Sequence, residues 1–313
     1  MDMRALGRSG LQVPVVGLGC NNFGGRIGLP DTRAVVHKAL DLGITLFDTA
    51  DSYGDRGGSE QSLGEILGER RKDIVLATKF GMPVDDAEVP RTSRRYIMMA
   101  VEASLRRLRT DWIDLYQLHR PDPATPIEET LRALDDLIHQ GKVRYIGSSN
   151  LAAWQAVDAH WTSLHLNLNR FISCQNEYSL LARGIEKELI PAMQACGLGL
   201  LPYFPLASGL LTGKYQRAAP MPAGARLSRG GGLAERYLTE KNWPIVERLS
   251  EFCKGRGKSL LDLAFSWLLA QPTLASVIAG ATRPQQLEQN VKAAGWVLTP
   301  DELAEVDQLT RSL

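Results

Sequence analysis

The sequence predicts an α/β protein folded as a (β/α)8 TIM barrel, with an N-terminal hairpin and a long loop after the seventh strand. Short apolar runs alternate with amphipathic stretches along the 313 residues. The runs are rich in Val, Ile and Leu without polar interruption, which is typical of parallel strands buried on both faces. They lie at 15–19, 44–48, 74–79, 113–119, 143–149, 171–175, 198–203 and 275–279. Eight such strands separated by helices close a barrel.

A second observation is that these runs end in polar residues. In chain order the ends are Asp48, Lys79, His119, Asn150, Gln175 and Tyr203. In a parallel barrel the catalytic residues stand at the carboxyl ends of the strands, so these side chains are expected to share one face. An open doubly wound sheet is the competing architecture, and the regular alternation favours the barrel.

Between the runs, apolar residues recur at helical spacing. Segments 93–108 and 127–140 each place their apolar residues on one face, and Gly141 supplies a C-terminal stop. Segments 241–255 and 259–270 also read as helices. A final helix over 300–311 has Thr299 as N-cap and Pro300 at its first position.

Two stretches depart from the alternation. A Gly-Arg-Ser-Gly turn at 7–10 precedes the first strand and predicts the hairpin. Between Pro205 and Glu240, a stretch rich in Gly, Pro and Arg is much longer than an ordinary connection, so a functional loop is expected there. No linker separates the parts, and residues 1–313 are interpreted as a single domain.

Composition excludes several classes of protein. Hydrophobic residues make up 44% and charged residues 23%, with a net charge of +1, so neither nucleic acid nor a membrane surface is an expected partner. No apolar stretch approaches the ~18 residues of a membrane span. The N-terminus lacks a secretory signal, and the scattered Cys20, Cys174, Cys196 and Cys253 read as reduced thiols. A cytoplasmic protein is expected.

Three glycine-containing segments resemble nucleotide-binding motifs, but none of them matches the full motif. GLGCNN at 17–22 has Asn22 in place of the third glycine of a dinucleotide fingerprint. The GKS at 257–259 and the GLLTGK at 209–214 both lack the spacing of a phosphate-binding P-loop. If the protein binds a nicotinamide cofactor, it must therefore do so without the Rossmann fingerprint.

Asp48, Tyr53 and Lys79 are the first candidate catalytic residues. A lysine at the end of a buried strand is costly without a carboxylate partner, and Asp48 is the one available. Each residue taken alone is more often structural. Together, the ion pair beside the phenol is expected to lower the pKa of Tyr53 and prepare it for proton transfer.

His119 ends the next run, at the same level as Asp48 and Lys79, where it can hydrogen-bond a substrate oxygen. A lone histidine is otherwise a satisfied structural group. The other histidines stand in helix or loop contexts and are interpreted as non-functional. No cluster of His, Cys, Asp or Glu has metal-ligand spacing, so no metal is expected.

The chain resembles the aldo-keto reductase family, whose catalytic tetrad is Asp, Tyr, Lys and His. Asp48 and Tyr53 match it within FDTADSYG, Lys79 within LATKF and His119 within YQLHRPD. The resemblance runs from VVGLGCNNFGG, through GSEQSLGEIL, IGSSN, QNEYSLL and PLASGLLTGKY, to VIAGATRPQQLEQN. It implies a barrel that binds NADP(H) in an extended form across the strand ends.

The resemblance also assigns cofactor contacts. Side chains at 149, 150 and 175 are expected at the carboxamide, Tyr203 on the nicotinamide ring, the long loop over the pyrophosphate, and residues 280–290 around the adenosine. The predicted contacts are Ser149, Asn150, Gln175, Tyr203, Pro205, Leu206, Ser208, Leu210, Lys214, Arg226, Gly280, Thr282, Arg283, Gln286, Gln289 and Asn290. Two residues depart from the common family pattern: Phe204, where many members have serine, and Gln289, where some have glutamate.

The expected function is NADPH-dependent reduction of a small aldehyde or ketone, reversible to alcohol oxidation, with Tyr53 as general acid and base. The alternative is a cofactor-binding regulatory protein, because potassium-channel β subunits share the fold and these segments. The pocket wall is expected from loops near 21–26, 53–56, 80–90 and 205–240, with Phe23, Phe80 and Met82 as apolar lining. The sequence carries no signal for an oligomeric state.

Overall fold

The N-terminal hairpin is the first element of the computed structural model, which describes residues 1–86, 89–217 and 219–310. Its strands β1 (Met3–Ala5) and β2 (Gln12–Pro14) pair in antiparallel fashion. Leu6 and Val13 pack beneath the barrel interior in one cluster with Leu46, Ala77 and Leu201. The hairpin therefore plugs the barrel at the amino ends of its strands, away from the predicted site.

Eight parallel strands form the central sheet, which confirms the predicted fold class. They are β3 (Val16–Gly19), β4 (Leu46–Asp48), β5 (Val75–Phe80), β6 (Ile113–Leu118), β7 (Val143–Ser149), β8 (Phe171–Gln175), β9 (Gly199–Leu200) and β10 (Val277–Gly280). From β3 to β9 each strand pairs with the one that follows it in the chain, and β10 pairs with β3. Leu200 closes the ring, because its amide donates to Thr273 O at 2.7 Å and its carbonyl accepts from Ala275 N at 3.0 Å.

Two of the strands are shorter than the sequence suggested. The run at 198–203 contributes only two residues to β9, because Pro202 has no N–H to continue the ladder. The run at 44–48 begins its strand late, because the amide of Ile44 donates to Ala39 O at the end of the preceding helix.

The helices surround the sheet and bury their apolar faces against it. They are α1 (Leu29–Asp41), α2 (Tyr53–Leu67), α3 (Arg94–Leu108), α4 (Ile127–His139), α5 (Ala153–His165), α6 (Leu189–Cys196), α7 (Gly232–Tyr237), α8 (Asn242–Lys254), α9 (Leu260–Leu269), α10 (Pro284–Ala293) and α11 (Pro300–Thr310). The predicted cap of the last helix is present, because Thr299 Oγ1 accepts from Glu302 N. Residue 311 of that prediction lies outside the described residues.

The long loop after β9 carries local structure of its own. Short 3-10 segments at Ala207–Thr212 and Leu227–Arg229 precede α7. Tyr215 accepts a hydrogen bond from Leu227 N at 3.1 Å, and Arg26 donates to Gly224 O at 3.0 Å. The loop is thereby tied to the segment after β3 and arches across the carboxyl end of the barrel. Among the described residues, none of the helices has the length and apolarity to span a membrane, and no cluster of potential metal ligands is present.

Candidate active site

A buried ion pair occupies the carboxyl ends of β4 and β5. Lys79 is fully buried and Asp48 is 3% exposed, and the ammonium Nζ donates to Asp48 Oδ2 at 2.6 Å. Nζ also donates to Thr49 O at 2.9 Å and contacts the Tyr53 hydroxyl oxygen at 3.5 Å. An ammonium has three N–H donors, so these three acceptors account for all of them. The Tyr53 oxygen therefore acts as an acceptor towards Lys79, and its own proton is free to be donated elsewhere.

The second oxygen of Asp48 is held by two amides. Oδ1 accepts from Gln117 Nε2 at 3.0 Å and from Gln175 Nε2 at 2.9 Å. A buried carboxylate satisfied by three donors is held as the anion that Lys79 requires. Gln117 was missed from the sequence, although a fully buried glutamine inside the apolar run of β6 is itself a signal of a polar partner.

Tyr53 is positioned by an unusual turn at the start of α2. Gly54, Asp55, Arg56 and Gly57 all have positive φ, so the chain makes a left-handed turn directly after the tyrosine. A Cβ at Gly54 would lie 2.2 Å from Phe23 O, so this position requires glycine. Asp55 and Arg56 hold left-handed φ values at an energetic cost, which is typical of backbone beside a functional site.

The pKa of Tyr53 moves in the direction opposite to the sequence prediction. Burial raises the pKa of the phenol above its usual value of 10, and the nearby positive charge of Lys79 offsets this only in part. The expectation that the ion pair lowers this pKa was wrong because it omitted the loss of hydration around a phenolate in this site. Tyr53 is therefore held as a neutral phenol, a form that can donate a proton.

Burial lowers the pKa of Lys79, but the interactions with its neighbours outweigh that effect. Loss of solvent alone lowers the pKa of the ammonium, whereas the charge of Asp48 and the contact with Tyr53 raise it, and the net direction is upward. Lys79 is thus a cation throughout the neutral range.

His119 follows β6 and faces Tyr53. The two rings meet edge to face, with centroids 5.7 Å apart, and the backbone amide of His119 donates to Phe80 O. Burial, then the charges of Lys79 and Arg120, lower the pKa of the imidazole to about 3. Its Nδ1 is buried without a hydrogen-bond partner in the described part of the chain. His119 is thus a neutral group beside the phenol.

A pH prediction follows from His119. Its pKa in the folded protein, about 3, lies below the usual 6.5. The stability that this neutral site contributes is fully present above pH 6.5 and is lost as the pH falls from 6.5 towards 3. We expect the free energy of unfolding of His119→Asn to fall less steeply over that range than that of the parent, measured by urea denaturation at several pH values. The exposed His165→Asn should follow the parent, and identical slopes for all three proteins would contradict this assignment.

The side-chain amide of Asn150 connects two other predicted cofactor residues, Ser149 and Tyr203, with the backbone of His119. Asn150 adopts a left-handed φ of 59° after β7. Its Nδ2 donates to His119 O at 2.9 Å and Ser149 Oγ at 3.0 Å, while its Oδ1 accepts from the Tyr203 hydroxyl at 2.9 Å. Asn150 therefore fixes residues after β6, β7 and β9 relative to one another.

A single cavity of about 1070 Å³ connects these groups with the N-terminus of α10. This volume is at the upper end for small-molecule sites and admits an extended ligand together with a second one. Asp48, Tyr53 and His119 line one end, and Lys79 lies behind them. The predicted cofactor residues on its walls are Ser149, Asn150, Gln175, Tyr203, Pro205, Leu206, Ser208, Lys214, Arg226, Gly280, Thr282, Arg283, Gln286, Gln289 and Asn290.

Leu210 is the exception among the predicted contacts. Its side chain is fully buried in the hydrophobic core and does not line the cavity. Phe23 and Phe80 were also wrongly expected on the wall. Both are fully buried, and Phe80 packs on Tyr116 with centroids 4.7 Å apart. Of the three expected apolar residues, Met82 lines the cavity. Residues 87, 88 and 218 of the expected wall lie outside the described residues.

The far end of the cavity is basic. Partial loss of solvent, followed by the charges of Arg26 and Arg283, lowers the pKa of Lys214. Three cations within electrostatic reach of one another around a cavity fit a ligand with several negative charges. Gln286 Oε1 accepts from the amides of Thr282 and Arg283, which ties this segment to the start of α10.

Other residues were not anticipated. The turn before α9 lines the cavity with Gly257, Lys258 and Ser259, although the GKS segment is not a P-loop, and Asp262 in the first turn of α9 lines it too. The sequence feature that could have drawn attention to this turn is Ser259, which is the N-cap of α9. Its hydroxyl oxygen accepts a hydrogen bond from Asp262 N. Arg120 and Arg236 also line the cavity. Arg120 stands two residues after the end of β6, Arg236 lies on α7, and residues 257–259 lie in the turn before α9.

Asp51 is a second unanticipated acid, two residues before Tyr53. It is 2% exposed, and burial followed by the charge of Glu60 raises its pKa to about 8. Glu60 is itself held by Arg107 Nε at 2.7 Å and by Thr78 Oγ1 at 2.5 Å. Asp51 is thus mostly protonated at neutral pH, and Asp48 provides the negative charge beside Lys79.

Fold and site together define a parallel α/β barrel whose strand ends carry a phenol, a buried ion pair and a neutral histidine beside a long cleft. The sequence model of the aldo/keto reductase family matches residues 15–311. The chain belongs to this family, and so to a family of oxidoreductases.

Several relatives cover nearly the whole chain. The L-glyceraldehyde 3-phosphate reductase of Escherichia coli O157:H7 is 36% identical, over 98% of this chain and 92% of its own length. A probable voltage-gated potassium channel subunit beta of Arabidopsis thaliana is also 36% identical, over 100% and 97%. The uncharacterized oxidoreductase YrpG of Bacillus subtilis is 37% identical, over 94% and 91%. The relatives thus include both reductases and a protein named as a channel subunit.

Proposed function

We propose that this chain is an NADPH-dependent reductase of aldehydes or ketones, with Tyr53 as the proton donor. The observation that carries the proposal is the arrangement of donors around Lys79. Because Asp48, Thr49 O and the Tyr53 oxygen take its three N–H groups, the phenol proton of Tyr53 is left for a ligand in the cavity.

The cavity walls fit a phosphorylated dinucleotide. Arg26, Lys214 and Arg283 supply positive charge at one end, and Ser208 Oγ is buried there without a partner among the described residues. Ser149, Asn150, Gln175 and Tyr203 offer amide, hydroxyl and aromatic groups at the other end, which suit a nicotinamide ring and its carboxamide. When bound, NADPH supplies the hydride for carbonyl reduction.

The protein residues manage the proton and the developing charge. Tyr53 donates its proton to the carbonyl oxygen as that oxygen becomes negative. Lys79 stabilises the phenolate that remains, and Asp48 keeps Lys79 charged. His119, neutral and 5.7 Å from the phenol ring, orients the carbonyl oxygen by a hydrogen bond. Run in reverse, Tyr53 accepts a proton from an alcohol.

The test is turnover of a panel of aldehydes, ketones and sugars with NADPH, followed as loss of cofactor absorbance and appearance of the alcohol. We expect catalytic turnover of at least one class of carbonyl compound. Tight NADPH binding with negligible turnover of every member of the panel would favour the alternative, a cofactor-binding partner protein like the channel subunits.

Arg283 is expected to select NADPH over NADH. It is exposed, lines the cavity directly before α10, and its guanidinium can form a forked contact with a 2′-phosphate but gains little from a 2′-hydroxyl. Arg283→Ala should weaken NADPH binding by about 1.5–3 kcal/mol and leave NADH nearly unchanged. Fluorescence titration of both cofactors measures this.

The matched control is Arg95→Ala, since Arg95 is an exposed arginine on α3 that does not line the cavity. It should bind both cofactors like the parent. Equal affinities of the parent for NADPH and NADH, or an equal loss of both in Arg283→Ala, would show that this segment does not read the 2′-phosphate.

A further inference from the structure

Arg120 is a cation at the catalytic end of the cavity that the proposed reaction does not use. It directly follows His119 at the exit of β6. It lines the same cavity as Tyr53, His119 and Met82. An arginine at this position is therefore within reach of the part of a substrate adjacent to the reacting carbonyl.

The positive charge of Arg120 affects the pKa of two groups that line the cavity, His119 and Tyr203. It adds to burial and Lys79 in lowering the pKa of His119 after β6. It also opposes the rise that burial causes in the pKa of Tyr203 after β9. Arg120, His119 and Tyr203 line one cavity, so the charge of Arg120 acts on groups of two elements that face the same space.

Other arginines that line the cavity have protein partners. Arg236 pairs with Glu177, Arg226 lies over the ring of Phe204, and Arg26, at the basic end, donates to Gly224 O. For Arg120, by contrast, no side-chain hydrogen bond or ion pair is found within residues 1–86, 89–217 and 219–310. Its charge is thus available to a ligand.

The acids on the cavity wall do not balance this charge. Asp48 is committed to Lys79, Gln117 and Gln175. Asp262, in the first turn of α9, accepts hydrogen bonds from the amide and the hydroxyl of Ser259. The catalytic end therefore has an uncompensated positive charge at its edge, with a fork of N–H donors that matches carboxylate or phosphate oxygens.

We propose that Arg120 binds an anionic group of the substrate, so that the preferred substrate is an aldehyde or ketone that carries a carboxylate or phosphate. This inference rests on the proposed carbonyl reduction. Carboxylate and phosphate share the chemistry that the guanidinium recognises, and paired substrates distinguish them. In each pair the anionic compound is compared with a neutral one of similar size and the same reactive group.

The experiment measures kcat/KM with NADPH for three pairs: 4-carboxybenzaldehyde against benzaldehyde, succinic semialdehyde against butanal, and glyceraldehyde 3-phosphate against glyceraldehyde. The parent should prefer the anionic member of at least one pair. In Arg120→Met the ratio of anionic to neutral kcat/KM should fall about 10- to 100-fold, mainly through KM, as expected for loss of a charge-assisted hydrogen bond. Whether the carboxylate or the phosphate pairs respond identifies the anion.

Two further variants make the result specific. Arg120→Lys keeps the charge without the fork and should recover part of the ratio. Arg95→Met removes an exposed arginine of α3 and should leave the ratio as in the parent. In the parent, added salt should raise KM for the anionic member more than for the neutral one.

The outcomes separate the two proposals. A parent that favours neutral carbonyls, or an Arg120→Met protein whose ratio equals that of the parent, overturns the role of Arg120 but leaves carbonyl reduction intact. If the parent reduces neither member of any pair while it binds NADPH, the proposed function fails, and the substrate inference fails with it.

Discussion

Replacement of Tyr53 by phenylalanine is expected to lower carbonyl reduction by about 10²- to 10⁴-fold, the usual contribution of a positioned general acid. The ring packs against His119 and Lys79 in both proteins, and only the hydroxyl is removed. Fold and NADPH affinity should therefore persist. Steady-state kinetics, with cofactor titration and thermal unfolding alongside, measure the three properties separately.

Tyr145→Phe is the matched control for this variant. Tyr145 lies on β7 and packs against the cluster at the opposite end of the barrel, so its hydroxyl is remote from the phenol of Tyr53. The control should retain the turnover of the parent. Near-parental turnover in Tyr53→Phe would remove Tyr53 from the mechanism.

The second large effect is expected for Lys79→Met, which should lower both the activity and the stability of the protein. Without the ammonium, nothing offsets the rise that burial causes in the pKa of Tyr53, and the phenolate formed after proton donation loses its neighbouring cation. Asp48 is left as a buried anion with only Gln117 and Gln175 as donors. Breaking one side of a buried pair typically costs about 3–5 kcal/mol of stability.

A pH comparison separates these two roles of Lys79. Because its pKa in the folded protein is raised above 10.5, the pair stabilises the parent fully below pH 10.5, and this contribution is lost as the pH rises through the raised value. Lys79→Met should lack that alkaline loss in urea denaturation. The double variant Asp48→Asn, Lys79→Met removes the unpaired charge and should recover stability without recovering turnover. A Lys79→Met protein with the pH–rate profile of the parent would make Lys79 purely structural.

The sequence predicted the features that depend on local pattern. Uninterrupted apolar runs gave the eight strands in order, and their polar ends placed Asp48, Lys79 and His119 at one face. The pairing of Lys79 with Asp48 followed from the cost of burying an ammonium alone. Residues at strand ends are predictable because strand direction and register determine which face they occupy.

Features that depend on three-dimensional packing were harder to predict from the sequence. The direction of the pKa shift of Tyr53 depends on how completely the folded chain buries the phenol, which no residue spacing encodes. Leu210 lies in a loop of irregular conformation, and its assignment to the cofactor came from the family resemblance, which does not tell where a side chain in such a loop points. Lys258 reaches the cavity from the turn before α9, and Arg120 reaches it from just past the end of β6. In the sequence, neither residue can be distinguished from an ordinary cation on the protein surface.

Transfer of deuterium tests the central claim most directly. The protein is mixed with NADPH deuterated at the nicotinamide C4, on either face, and an aldehyde that it turns over, and the alcohol is examined by mass spectrometry. Carbonyl reduction with Tyr53 as proton donor predicts one deuterium on the former carbonyl carbon, from one of the two labelled faces, and a strongly reduced yield in Tyr53→Phe. Alcohol without deuterium from either face, or no alcohol from a protein shown to bind NADPH, would contradict it.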